Sequence, residues 1–72
     1  MRRFTMRQAR LMAGLKQQEV ADKLGLSLNG YRNIENYESK FRVDTAYQFA
    51  EIVGLDIKEV IFFRDDCNLI AL

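Results

Sequence analysis

Residues 17–36 read QQEVADKLGLSLNGYRNIEN, and this stretch decides how the chain is laid out. Val20, Ala21 and Leu24 fall at i, i+1 and i+4, one buried helical face, and Gly25 stops that helix after two turns. Leu26 plugs the turn, and Ser27 is a good N-cap for a second helix running from about Leu28 to Glu35. In that helix Tyr31 and Ile34 point to the core. Leu28, Asn29, Arg32, Asn33 and Asn36 share the other side, within about 140° by the 3.6-residue period. A short helix exposing Asn, Arg and Asn is a poor core element but well equipped for hydrogen bonding to a partner. Gly30 costs roughly 1 kcal/mol relative to Ala inside a helix, less near the first turn. Its missing side chain is read as room for close approach.

Working outward, Met1 to Phe4 reads as a short arm, and Thr5 caps a first helix from Met6 to Ala13. Met6, Ala9 and Ala13 form its core stripe, and Gly14 stops it. Leu11 and Met12 fall off the stripe, either half-buried or packed under the C-terminal segment. Leu15 packs inward, and Lys16 sits where the cap of the next helix should be, which predicts a weak cap. Beyond residue 36, Tyr37 to Arg42 is a loop. Val43 to Val53 reads as a fourth helix with Val43, Ala46, Tyr47, Ala50 and Val53 inward and Asp44 at its positive end. Gly54 ends it. Asp56-Ile57-Lys58-Glu59 is a capping box for a fifth helix that includes Val60 and Ile61 and ends at Phe62 and Phe63. Arg64 to Asn68 reads as a turn, and Leu69 to Leu72 as a strand or a packed tail.

Seventy-two residues make one domain, with 49% apolar and 29% charged residues, which suits a packed core and disfavours disorder. At this size a single core supplies only a few kcal/mol, so local helices or a dimer partner are common supports. No apolar run approaches the roughly 20 residues of a membrane span, and the basic N-terminus is followed by no signal-peptide core. Cys67 is the single cysteine, which together with the missing signal points to the cytoplasm. There is no histidine, paired-carboxylate constellation, Gly-rich phosphate loop or metal-ligand cluster. No catalytic residue, metal or cofactor is therefore assigned, and an enzyme is not expected. The net charge of +1 is uneven. Residues 1–42 hold nine Lys/Arg against four Asp/Glu, a net +5, and residues 43–72 hold two against six, a net −4. The first half suits a polyanion.

The spacing Arg10…Gly14-Leu15-Lys16-Gln17-Gln18-Glu19-Val20-Ala21…Leu24-Gly25-Leu26-Ser27…Ile34-Glu35 resembles the phage repressor and Cro helix-turn-helix family, also called XRE or lambda-repressor-like. It continues through Asp44-Thr45…Ala50…Gly54-Leu55-Asp56…Glu59-Val60 and covers about residues 5 to 62. The resemblance implies an all-α, five-helix DNA-binding domain. It implies that Gln17 touches the DNA backbone, that Leu28, Asn29, Arg32 and Asn33 face the major groove, and that Arg10 and Glu35 form a buried salt bridge. Three positions depart from the pattern. Lys16 replaces the usual Ser or Thr. Tyr37 stands where Gly is common, so Asn36 is expected in the left-handed region. Glu38 is acidic where the loop is often basic.

The residue chemistry agrees with a DNA partner. Asn29 and Asn33 match adenine N6/N7, Arg32 matches guanine O6/N7, and Leu28 offers an apolar contact for a thymine methyl. Gln17, Asn36, Lys40 and Arg42 are the candidate phosphate contacts, with Arg2 and Arg3 as a further arm. The expected function is a sequence-specific regulator bound to double-stranded DNA, of phage or mobile-element type. Residues 1–63 would be the DNA-binding domain. Residues 64–72 would be either a homodimerisation segment or a tail packed on its own domain. The alternative is a protein-interaction module on the same fold, antitoxin-like, which Leu11, Met12 and the apolar tail leave open. No sensor segment is read, so no small-molecule ligand is expected.

Overall fold

The computed structural model describes residues 2–40 and 42–62. Its elements are β1 (Phe4–Thr5), α1 (Met6–Met12), α2 (Gln17–Leu24), α3 (Leu28–Glu35), α4 (Val43–Val53), a 3-10 turn (Ile57–Glu59) and β2 (Val60–Ile61). Local chemistry starts the helices. Thr5 Oγ1 accepts from the Gln8 N–H at 3.1 Å, and Gln8 Oε1 accepts from the Thr5 N–H at 2.9 Å, a complete capping box. Ser27 Oγ accepts from the Gly30 N–H at 3.0 Å. A Cβ on Gly30 would lie 3.1 Å from that hydroxyl, so the glycine gives the cap its room. Helix α2 starts less well. The Lys16 side chain has no acceptor and makes no cap bond, and only the reciprocal half exists, Glu19 Oε1 accepting from the Lys16 N–H at 2.8 Å.

The four helices end alike. In each, an N–H beyond the helix bonds a carbonyl five residues back: Leu15 to Arg10, Leu26 to Ala21, Glu38 to Asn33 and Leu55 to Ala50. That geometry puts the preceding residue in the left-handed region, and three of the four are glycines, Gly14, Gly25 and Gly54. The fourth is Tyr37, at φ 60°. Asn36, expected to take that role, has φ −84°. The reason lies in the Tyr37 hydroxyl. It accepts from the Met6 N–H at 3.2 Å and donates to the Ile61 carbonyl. These two bonds offset a left-handed cost of about 1–2 kcal/mol.

The core gathers around Phe49, which is fully buried. Its ring lies 6.4 Å from Tyr31, nearly parallel at 21°, and meets Phe62 edge-on at 5.9 Å and 84°. Met6, Ala9, Val20, Ala21, Ile34, Ala46 and Val60 close the cluster. Two faces differ from the sequence reading. Helix α4 is rotated so that Ala46, Phe49 and Ala50 are buried, leaving Val43 and Tyr47 71% and 57% exposed. The larger Phe49 ring takes the interior and turns the lesser stripe outward. Helix α1 stops at Met12, and Ala13, read as core, is exposed. Leu11 and Met12 are exposed as well.

There is no fifth helix among the described residues. The capping box at Asp56 is real: the Asp56 N–H donates to Glu59 Oε1 at 3.0 Å, and Asp56 Oδ1 accepts from the Lys58 N–H at 3.2 Å. It starts only a 3-10 turn, and at Val60 the chain turns extended, φ −111° and ψ 134°. Val60 and Ile61 are β-branched and suit a strand. They pair in parallel with β1, Phe4 opposite Val60 and Thr5 opposite Ile61. Of the stretch read as a short N-terminal arm, Phe4 is thus in a strand and packs against the core. Phe63, the turn at residues 64–68, Cys67 and the apolar segment 69–72 lie outside the described residues. No helix among the described residues is long and apolar enough to cross a membrane.

Candidate nucleic-acid interface

Helix α3 is held from behind by one carboxylate. Glu35 and Arg10 are both buried, and Arg10 Nε donates to Glu35 Oε1 at 2.6 Å. The Tyr31 hydroxyl donates to the same oxygen at 2.8 Å, and Gln17 Nε2 donates to Oε2 at 2.6 Å. Arg10 Nη1 also donates to the Leu15 carbonyl at 2.9 Å, tying the α1–α2 turn into the same knot. One side chain therefore joins α1, α2 and α3. Burial pushes the Glu35 carboxyl up, but the bonds from Arg10, Gln17 and Tyr31, with the Arg10 charge, outweigh it and hold the carboxyl below its usual range. Burial, and then the bond to Glu35, push the Tyr31 phenol well up, so it stays protonated and donates.

With its inner face fixed, α3 presents the remaining side chains outward. Asn29, Arg32 and Asn33 are exposed, and Leu28 at its start is half-buried. Asn36, Lys40 and Arg42 are exposed beyond the helix. Arg42 Nε lies 3.4 Å from Asp44 Oδ1, with both side chains largely in solvent, so water and salt screen the pair and a phosphate can replace it. Arg2 stacks over the Phe4 ring at 5.4 Å.

Gln17 is half-buried and stands between the two sets. Its Nε2 reaches inward to Glu35, and its Oε1 accepts from Arg32 Nε at 3.2 Å. Sequence reasoning treated Gln17 and Arg32 separately, and the fold brings them together across 15 residues. The Tyr31–Glu35 bond was also missed, although i, i+4 spacing on one helix was a usable signal. The Tyr37 tether had no local signal.

In chemical terms the surface offers two amides and one guanidinium on a rigid helix, flanked by cations. Each amide carries a donor beside an acceptor, and the guanidinium carries donors only. Such groups match the edges of base pairs. In comparison with known proteins, residues 6–60 match the family described as Helix-turn-helix. No curated protein and no solved structure matches the chain.

Proposed function

The chain belongs to the helix-turn-helix family of the XRE, lambda-repressor-like type, and on that premise we propose that it is a sequence-specific regulator that reads duplex DNA with α3 in the major groove. The observation that carries this is the polar face of Asn29, Arg32 and Asn33 on a helix whose opposite face, Tyr31, Ile34 and Glu35, is locked inward. Leu28 adds an apolar contact at the helix start. Gln17, Asn36, Lys40 and Arg42 engage phosphates and set the register, with Arg2 and Arg3 adding to them. One module of this size covers few base pairs, so the working unit is a homodimer with half-sites about 34 Å apart. Residues 1–63 are assigned to DNA and residues 64–72 to dimerisation. A repressor of phage or mobile-element origin, acting in the cytoplasm without a small-molecule ligand, fits this assignment.

Selection of bound duplexes from a random pool, read by sequencing, tests it. The expected result is a palindrome whose binding weakens steeply with salt. Enrichment of no sequence would remove the reading. For the dimer, light scattering after size exclusion decides: a monomer at tens of micromolar, unchanged by truncation after Asp66, would remove that part. A second reading, a protein-interaction module on the same fold, draws on the exposed apolar side chains Leu11, Met12, Val43 and Tyr47, all off α3. Salt-insensitive or absent DNA binding would favour it.

A further inference from the structure

Asn29 is followed by Gly30, and that pair holds the most labile amide in the chain. An asparagine amide is lost when the next backbone nitrogen attacks its Cγ. A glycine in the next position neither shields that nitrogen nor resists the backbone turn the attack needs. Asn33, Asn36 and Asn68 precede Ile34, Tyr37 and Leu69, whose bulk hinders the same step. The fold puts the labile pair on the polar face of α3, with Asn29 exposed in the first turn. There the Gly30 N–H has no helical carbonyl partner and donates to Ser27 Oγ at 3.0 Å. The first backbone bond of the helix runs from the Tyr31 N–H to the Ser27 carbonyl at 2.9 Å. A regular helix turns the Gly30 nitrogen away from Asn29 Cγ, so the ring closes only when this first turn opens. Opening gives up those two bonds, and the cap bond among them is exposed. The glycine is not cheaply exchanged, because a Cβ would meet Ser27 Oγ at 3.1 Å. The residue that makes room for the cap is the one that leaves Asn29 open to attack.

Resting on the DNA-reading function above for its consequence, we propose that Asn29 is a site of spontaneous deamidation that ends base reading. The Gly30 N–H gives its proton to solvent base, and the nitrogen bonds to Asn29 Cγ. The Cγ–Nδ2 bond breaks, and the amide nitrogen leaves as ammonia with a proton from water. Water then opens the cyclic imide at either carbonyl, leaving aspartate or isoaspartate. In sum one water is consumed, one ammonium is released and the side chain gains a negative charge; no oxidant or reductant takes part. That charge sits at the positive end of α3, where it favours the helix, so the aspartate form stays folded. Its carboxylate only accepts, so an adenine that was offered a donor and an acceptor now meets oxygen at N7. DNA phosphates repel the new charge as well. A docked duplex pins both the amide and the first turn, so bound protein is spared while free protein ages.

Trypsin gives a direct readout, since the peptide from Leu24 to Arg32 holds Asn29 as its one side-chain amide. Folded protein is aged in warm, mildly alkaline buffer, with and without a duplex selected by the fresh protein, beside a sample unfolded in urea. Mass spectrometry of the peptide should show an amide-to-acid change in the free folded sample, and the duplex should slow it. Ser27→Ala, which removes the cap, should speed the change, and Gly30→Ala should stop it. Aged protein and Asn29→Asp should both bind that duplex about tenfold more weakly than fresh protein, with the Asn29→Asp circular dichroism spectrum unchanged. A folded rate no higher than the unfolded rate multiplied by the unfolded fraction would mean that the first turn does not open by itself, and would overturn the proposal. So would full binding by Asn29→Asp. Fresh protein that selects no sequence would instead sink the DNA-reading function, and with it the consequence for base reading, while the peptide map still decides the chemistry.

Discussion

Glu35 keeps its negative charge buried because three side chains from three helices donate to it. Removing Arg10 leaves that charge uncompensated, at a cost of about 3–5 kcal/mol. A domain this small has only a few kcal/mol to lose. Arg10→Ala should therefore be largely unfolded in a urea or thermal melt followed by circular dichroism. Arg32→Ala, at an exposed site, should melt within about 0.5 kcal/mol of wild type and lose DNA discrimination. The network also predicts an acid response. The folded state holds the Glu35 carboxyl below its ordinary 4.5, so it binds that proton less readily than the unfolded chain. Its stabilisation is complete above pH 4.5 and is lost as the pH falls through the lower folded value. Glu35→Gln should be less stable at neutral pH, and its gap to wild type should narrow as the pH is lowered below that point. At this scale the exposed face of α3 was legible from the helical period alone. The Arg10–Glu35 pairing came only from the family resemblance. The Gln17–Arg32 bond was not legible, because it depends on which way an amide points.

At the scale of single elements, starts and stops were the readable part. Thr5 and Ser27 cap as their hydroxyls suggest, and the glycines stop three helices. The weak start of α2 can be repaired. Lys16 already has the extended N-cap backbone, φ −88° and ψ 158°, and Glu19 already supplies the reciprocal bond. Lys16→Ser should complete the capping box and stabilise the protein by about 0.5–2 kcal/mol, seen as a higher urea midpoint at unchanged slope. Two elements misread for physical reasons. A capping box opens a 3-10 turn as well as an α-helix, so the box at Asp56 could not say how far the chain would stay helical. A strand of two residues is too short to show a period. In α4 two apolar stripes overlap at Ala46 and Ala50, and only the packing volume of Phe49 decides between them.

Across the whole molecule, the first helix and the last described strand are joined by one hydroxyl. Tyr37 bonds both Met6 at the start of α1 and Ile61 in β2. Tyr37→Phe keeps the ring but strands both backbone groups, and should cost about 1–3 kcal/mol in a urea melt. Tyr37→Gly relieves the left-handed strain yet should not restore wild-type stability, since it loses ring and hydroxyl together. The parallel pairing of Phe4–Thr5 with Val60–Ile61 has a mechanical meaning. Parallel strands point the same way, so a pull on residue 4 and a pull on residue 62 run along the ladder in opposite directions. The pairing is then loaded in shear, with its bonds sharing the force at once instead of opening one by one. Tension between the two ends of the described fold therefore reaches this clip before it reaches the helices that face DNA.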